Sequence, residues 1–215
     1  MATYESLIKI NGAVGDLVFY TLNGKNVVRK KSGFNKTAFK KSPAYEKVRQ
    51  NSSEFGHCSK VGKIIRQVLD QYIKQADEPL LYQKFAKLMT EIKDFDEISE
   101  RGKRTVENGI ITEKGKLLLR KFQFGNKNNF DGENSVSLEL LNKKLYLNNT
   151  FSANEAVLIS LKIDFENYLT KHFEEKILVE GKEKISFAKQ FSDDDLILYF
   201  IVLKKNDEIL NMGFV

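Results

Sequence analysis

The chain has 215 residues, 41% of them hydrophobic and 30% charged, with 35 Lys and Arg against 29 Asp and Glu. An apolar share of that size supports a packed core and excludes wholesale disorder, and no run of apolar residues is long enough to cross a membrane. A single cysteine, Cys58, excludes an intrachain disulfide and a multi-thiolate metal site, and MATYESLIKING lacks the basic start and apolar stretch of a signal peptide, so a cytoplasmic location is expected.

The net charge of +6 is unevenly placed. Residues 24–66 carry twelve basic groups and two acidic ones, Glu46 and Glu54, a balance of +10, whereas residues 131–215 come to −5. A field of that kind attracts polyanions, and it equally attracts the acidic C-terminal region of another copy.

In chain order, SLIKING, GDLVFYT and NVVRKK read as short strands, the last two joined by a Leu22-Asn23-Gly24-Lys25 turn. Asn-Gly between β-rich runs is a strong hairpin signal because both residues tolerate positive φ. Val18, Phe19, Tyr20, Val27 and Val28 leave both faces of this ribbon partly apolar, so it wants partners on two sides. A basic connector, KKSGFNKTAFKKS, follows, and Ser42-Pro43 suits a helix start. Val61, Ile64, Ile65, Val68, Leu69, Tyr72 and Ile73 then fall on one helical face. A second helix is expected after Asp77-Glu78-Pro79, with Leu81, Phe85, Leu88, Met89 and Ile92 in a stripe, and shorter helical pieces over 99–108 and 112–119. The Asn- and Gly-rich stretch 121–134 reads as a domain boundary. Beyond it come strand-like runs with turns at Asn142-Lys143 and Glu180-Gly181, plus a helical excursion over 166–175.

The expected fold class is therefore α+β: an N-terminal β-hairpin and helical region followed by a C-terminal antiparallel β-sandwich-like domain. The expected divisions are 1–41 for the ribbon and basic connector, 42–124 for the helices and 125–215 for the β domain.

Candidates for chemistry are few. His57 and Cys58 are adjacent, and on a helix neighbours diverge by about 100°, so they cannot act as base and nucleophile together. Gly56 to Lys63 has five residues between its glycines, one more than a phosphate loop, and Ile64 stands where Ser or Thr should hold magnesium. Gly56, Ser59 and Gly62 instead suggest a small-residue stripe for a tight helix crossing. Asp193-Asp194-Asp195 reads as a solvated turn, and Glu174-Glu175 and Asp94/Asp96 as parts of polar stretches. No catalytic residue, cofactor or metal is expected, and the chain reads as a non-enzyme.

The basic segment is the informative feature. Arg29, Lys30 and Lys31 end the ribbon, Lys40 and Lys41 lie in the connector, and Arg49, Lys60, Lys63 and Arg66 lie on helices, with Phe34 and Phe39 interleaved. Basic groups with aromatics fit single-stranded nucleic acid, and a surface that engages its own copies fits as well.

Gly12-Ala13-Val14-Gly15-Asp16-Leu17-Val18-Phe19-Tyr20 with Gly24 to Lys30, Glu54-Phe55-Gly56, Gly62 to Arg66, Arg101 to Arg104 and Phe122-Gln123-Phe124 together resemble a group of uncharacterised Bacteroidota proteins, some linked to phages or mobile elements. The likeness spans about residues 7–125. It implies a glycine-punctuated ribbon, helices and a C-terminal β domain, and it carries over no functional residues. Two functions are expected from these features. The first is a structural protein that self-assembles head-to-tail into a homo-oligomer or filament. The alternative is a nucleic-acid-binding protein using residues 25–66.

Overall fold

The computed structural model describes every residue except 1, 7, 32, 34–35, 128–135, 140–143, 148–151, 180–183, 189 and 193–194. Two compact units divide at Arg49/Gln50. The first unit holds β1 (Ala2–Thr3), β2 (Gly12–Val14), β3 (Leu17–Leu22) and β4 (Lys25–Lys30), in the sheet order β1-β4-β3-β2. The hairpin forms where the Asn-Gly pair predicts it: Asn23 and Gly24 have φ of 50° and 76°, and Leu22 faces Lys25. Residues 8–11 of SLIKING are not strand, β2 begins at its last residue, Gly12, and the sheet gains the short β1 on the far side of β4.

Helix α1 (Lys36–Lys41) occupies what reads in sequence as a connector. A single 3-10 turn, Pro43–Tyr45, precedes α2 (Glu46–Val68). Pro43 stands in its first turn, as expected, though the Ser42 side chain does not cap it.

The second unit carries α2 from Gln50 onward, then α3 (Asp70–Ile73), α4 (Leu81–Lys93), α5 (Val106–Ile111) and α6 (Glu113–Lys121). The apolar stripes behave as the 3.6-residue period requires: Val61, Ile65, Leu69 and Tyr72 are buried, as are Leu81, Phe85, Leu88, Met89 and Ile92. Residues 99–104 are a loop rather than helix. The Thr105 and Thr112 side chains cap α5 and α6 by accepting the backbone N–H of Asn108 and Gly115.

Strands β5 (Val136–Glu139), β6 (Lys144–Leu147), β7 (Glu155–Asp164), β8 (Leu169–Leu178), β9 (Lys184–Ser186), β10 (Ile197–Lys205) and β11 (Glu208–Phe214) complete the unit. They form two antiparallel sheets, β11-β10-β7-β8 and β5-β6-β9. Leu145, Ile185 and Phe187 of the smaller sheet side pack with Leu158, Tyr199 and Ile201 of the larger one, which is the sandwich the sequence suggests. The Asn142-Lys143 and Glu180-Gly181 turns lie outside the described residues.

Two expectations need correction. The helical excursion over 166–175 is strand: Asp164 accepts the backbone N–H groups of Glu166 and Asn167, turns the chain, and β8 runs back along β7 from Leu169. The boundary at 124/125 also fails as a structural division. Val157, Ile159 and Leu161 of β7 and Phe200 of β10 share one core with α2, α4 and α6, so helices and large sheet are one unit. Phe124 sits at its centre, fully buried, with ring centroids 4.9 Å from Phe122, 5.1 Å from Phe200 and 5.9 Å from Phe214. The turn-rich composition after residue 125 marks the start of the β region, but the aromatics just before it tie both regions together.

Candidate functional site

Strand alternation sorts the N-terminal sheet into two faces. Register places Leu17, Phe19 and Val28 with Val14 on one, and Val18, Tyr20 and Val27 on the other. Tyr4 packs edge-on against Phe19 at 5.5 Å. Among the described residues of 1–49, Val27 alone is buried; Val18, Phe19, Tyr20 and Val28 are half-buried, and Ile8, Val14, Leu17 and Leu22 are exposed.

The nine basic candidates divide by what they already hold. Arg29 is half-buried, and Lys30, Lys31, Lys40, Lys41 and Lys63 are exposed. Lys40 and Lys41 stand in the last turn of α1, where cations suit the helix dipole. Arg49 is spent locally: its Nη1 donates to the carbonyls of Phe39 (2.6 Å) and Ser42 (3.0 Å), tying down the end of α1. Arg66 donates from Nε to its own helix at Gly62 O (3.0 Å) and lies 5.9 Å from the centre of the Tyr82 ring. The Lys60 ammonium lies 4.6 Å from the centre of the Tyr168 ring. The basic residues on α2 are therefore not all alike: Arg49, Lys60 and Arg66 each have a contact within the chain, and Lys60 and Lys63 are exposed. Phe39 pairs with Tyr45 at 5.9 Å, and Phe34 lies outside the described residues.

The small-residue stripe is corrected to a single contact. A Cβ on Gly62 would meet Met89 Cγ at 3.2 Å, so α2 and α4 do cross closely there, whereas Gly56 faces open space and Ser59 is exposed. A three-residue repeat drifts by about 60° per step on a helix of 3.6 residues per turn, so Gly56 and Gly62 point about 120° apart. The tighter approach is at Gly109, where a Cβ would collide with the Ile92 carbonyl.

What composition does not reveal is a buried ion cluster. Glu54 is 3% exposed, and its carboxylate accepts Arg104 Nε (2.9 Å) and Nη2 (2.8 Å), Lys93 Nζ (2.8 Å) and the Gly102 backbone N–H (2.6 Å). The Arg104 guanidinium holds the Glu54 carboxyl down at about 2, against the opposing effect of burial. Asp94 closes the cluster, 2.6 Å from Lys93 Nζ and 3.0 Å from Arg104 Nη1. Beside it Asp96, also 3% exposed, accepts the backbone N–H groups of Ile98, Ser99 and Thr105 and the Asn108 amide. Burial disfavours its charge, yet those donors, Thr105 first, hold its pKa well below the usual carboxylate range. Asp94 and Asp96 are thus loop organisers. In sequence, three basic groups in four residues at 101–104 was the available signal, with nothing to point it at Glu54.

His57 is also more than an ordinary histidine. Its Nε2 accepts the backbone N–H of Val106, one of the otherwise unpaired donors at the start of α5, and its Nδ1 lies 3.0 Å from Tyr168 Oη. With Nε2 as acceptor, Nδ1 carries the proton and donates to Tyr168. Burial, assisted by Lys60, lowers the pKa of the imidazole and favours this neutral form. The orienting group is 111 residues away in the chain, which is why the residues flanking His57 bear no sign of it. Cys58 is fully buried, and burial pushes its thiol up to about 11.

Asp195 pairs with Lys162 at 2.5 Å, while Asp193 and Asp194 lie outside the described residues. Among the described residues no group of three His, Cys, Asp or Glu side chains is placed to hold a metal ion, and no helix is long and apolar enough to cross a membrane. Comparison with protein-family models, curated proteins and solved structures finds no match for the chain.

Proposed function

We propose that the protein is a non-enzymatic structural protein that self-assembles, its N-terminal ribbon and basic connector engaging the acidic C-terminal region of the next copy. The observation that carries this reading is the ribbon's missing core: Val27 is the one buried side chain among the described residues of 1–49, in a sheet apolar on both faces. A small sheet with so little internal burial is marginal in water and gains by being covered. The +10 balance of residues 24–66 against −5 in residues 131–215 supplies the complementary surface. Such a contact joins different patches, so it repeats into rings or open filaments. A cytoplasmic, phage- or mobile-element-derived assembly would fit that behaviour.

Sedimentation tests it. Full-length protein is expected to form large particles that shrink when exposed Val14 and Leu17 are both changed to Lys, or when residues 1–41 are deleted; an unchanged sedimentation profile overturns the reading. Negative-stain images should show rods or rings. Retention on single-stranded DNA that falls steeply between about 50 and 200 mM salt would favour instead the nucleic-acid alternative built on residues 25–66.

A further inference from the structure

Strand β8 is the outermost strand of the large sheet, and among the described residues nothing pairs with its outer edge. It runs ten residues in unbroken register with β7, and Leu169, Phe173 and Leu178 are 63%, 40% and 64% exposed. It has no proline and no bulge, devices that commonly blunt such edges. An open edge of this length offers a template for another strand.

The occupant can be read from the strand's own sequence, Leu-Thr-Lys-His-Phe-Glu-Glu-Lys-Ile-Leu. In an antiparallel pair, directly opposed residues must both aim their peptide groups at the shared edge or both aim them away. Two copies of one edge can therefore meet only in registers centred on a residue. Centring on Glu174 sets like charges face to face, and centring on His172 sets Lys171 against Phe173. Centring on Phe173 opposes Leu169 with Ile177, Thr170 with Lys176, Lys171 with Glu175, His172 with Glu174, and Phe173 with itself. Apolar meets apolar and each Lys171 meets a carboxylate, twice over by symmetry.

We infer that β8 pairs antiparallel with β8 of a second copy about a two-fold axis at Phe173, joining the two four-stranded sheets into one of eight strands. Register with β7 puts Leu169, Lys171, Phe173, Glu175 and Ile177 on the same face as buried Leu158, so the apolar and Lys–Glu pairs form one continuous strip. The contact is of one patch with itself and closes on a dimer, unlike the head-to-tail contact proposed above, and it uses none of the ribbon.

The decisive test is crosslinking of the full chain. Opposed Cα atoms in such a pair lie about 4.5–5.5 Å apart, inside disulfide range. Buried Cys58 does not compete. Under a mild oxidant F173C is expected to give covalent dimers, while L169C, whose two copies would sit about 27 Å apart at about 3.4 Å per residue, stays uncrosslinked. Crosslinking of F173C no faster than of L169C overturns the proposal. A charge swap reads the register: K171E should weaken dimerisation at least tenfold, and K171E with E175K should restore it. A double variant that folds by circular dichroism but stays monomeric also overturns it. Val14→Lys with Leu17→Lys separates the two interfaces: it is expected to abolish the larger particles and leave the F173C dimer intact.

Discussion

The Glu54 carboxylate and the Arg104 guanidinium, fifty residues apart, meet in a two-bond fork, Nε to Oε1 at 2.9 Å and Nη2 to Oε2 at 2.8 Å. This fork, with Lys93 on the same carboxylate, ties α2 to the end of α4 and to the loop that leads into α5. Removing the Glu54 charge leaves Lys93 and Arg104 paired with Asp94 alone. Glu54→Gln is therefore expected to lower unfolding free energy in urea titrations, by less than the ~3–5 kcal/mol of a buried charge left with no partner.

The same carboxylate sets an acid limb. Its folded pKa of about 2 lies below the unfolded value of 4.5, so its contribution is complete above pH 4.5 and is lost as pH falls toward 2. A shift of that size corresponds to about 3 kcal/mol. Asp96 acts in the same direction. Wild-type stability should fall across this window, and the fall should be shallower in Glu54→Gln.

His57 works at milder pH. Because folding lowers its pKa, its contribution is present above the unfolded value of 6.5 and declines as pH falls below it. The charged and titratable neighbours are Lys60 and Tyr168. Denaturant titrations at pH 7.5 and 5.5 should show lower stability at the lower pH, and His57→Asn should remove part of that difference.

The glycines make opposite forecasts. Gly56 is helical, and a Cβ added there would have nothing within 4 Å, so Gly56→Ala should raise stability by about 0.5–1 kcal/mol through helix propensity. Gly109→Ala drives a methyl into the Ile92 backbone carbonyl and should lower the melting temperature sharply.

Phe124 tests whether helices and sheet unfold together. It is fully buried, and Phe124→Ala should cost about 3–5 kcal/mol. Circular dichroism at helix-sensitive and sheet-sensitive wavelengths should then shift in parallel. Separate transitions would restore the division at 124/125.

Much of the architecture was legible because it rests on periodicity. The stripes from Val61 to Ile73 and from Leu81 to Ile92 foretold α2 to α4, and Asn23-Gly24 foretold the hairpin. Residues 166–175 misled because Tyr168, Leu169 and Phe173 suit a helix as well as a strand, and only pairing with β7 decides between them. The polar cluster was hidden for a different reason. Glu54, Lys93 and Arg104 converge from three separated segments, and each alone resembles a solvated charge. Basic surplus was visible along the chain, whereas the commitment of Arg49 to two carbonyls and of Lys60 to the Tyr168 ring emerges only in three dimensions.

The aromatic centre of the second unit has a consequence for how the chain reaches its fold. Phe85, Phe122 and Phe124 are synthesised well before Phe200 and Phe214, yet all five rings pack together. On the ribosome Phe85, Phe122 and Phe124 must wait for their partners Phe200 and Phe214 until β10 and β11 emerge. Contacts of such long sequence separation slow folding. During that interval the nascent chain is expected to depend on chaperones, and its yield should respond to translation speed across the last two strands.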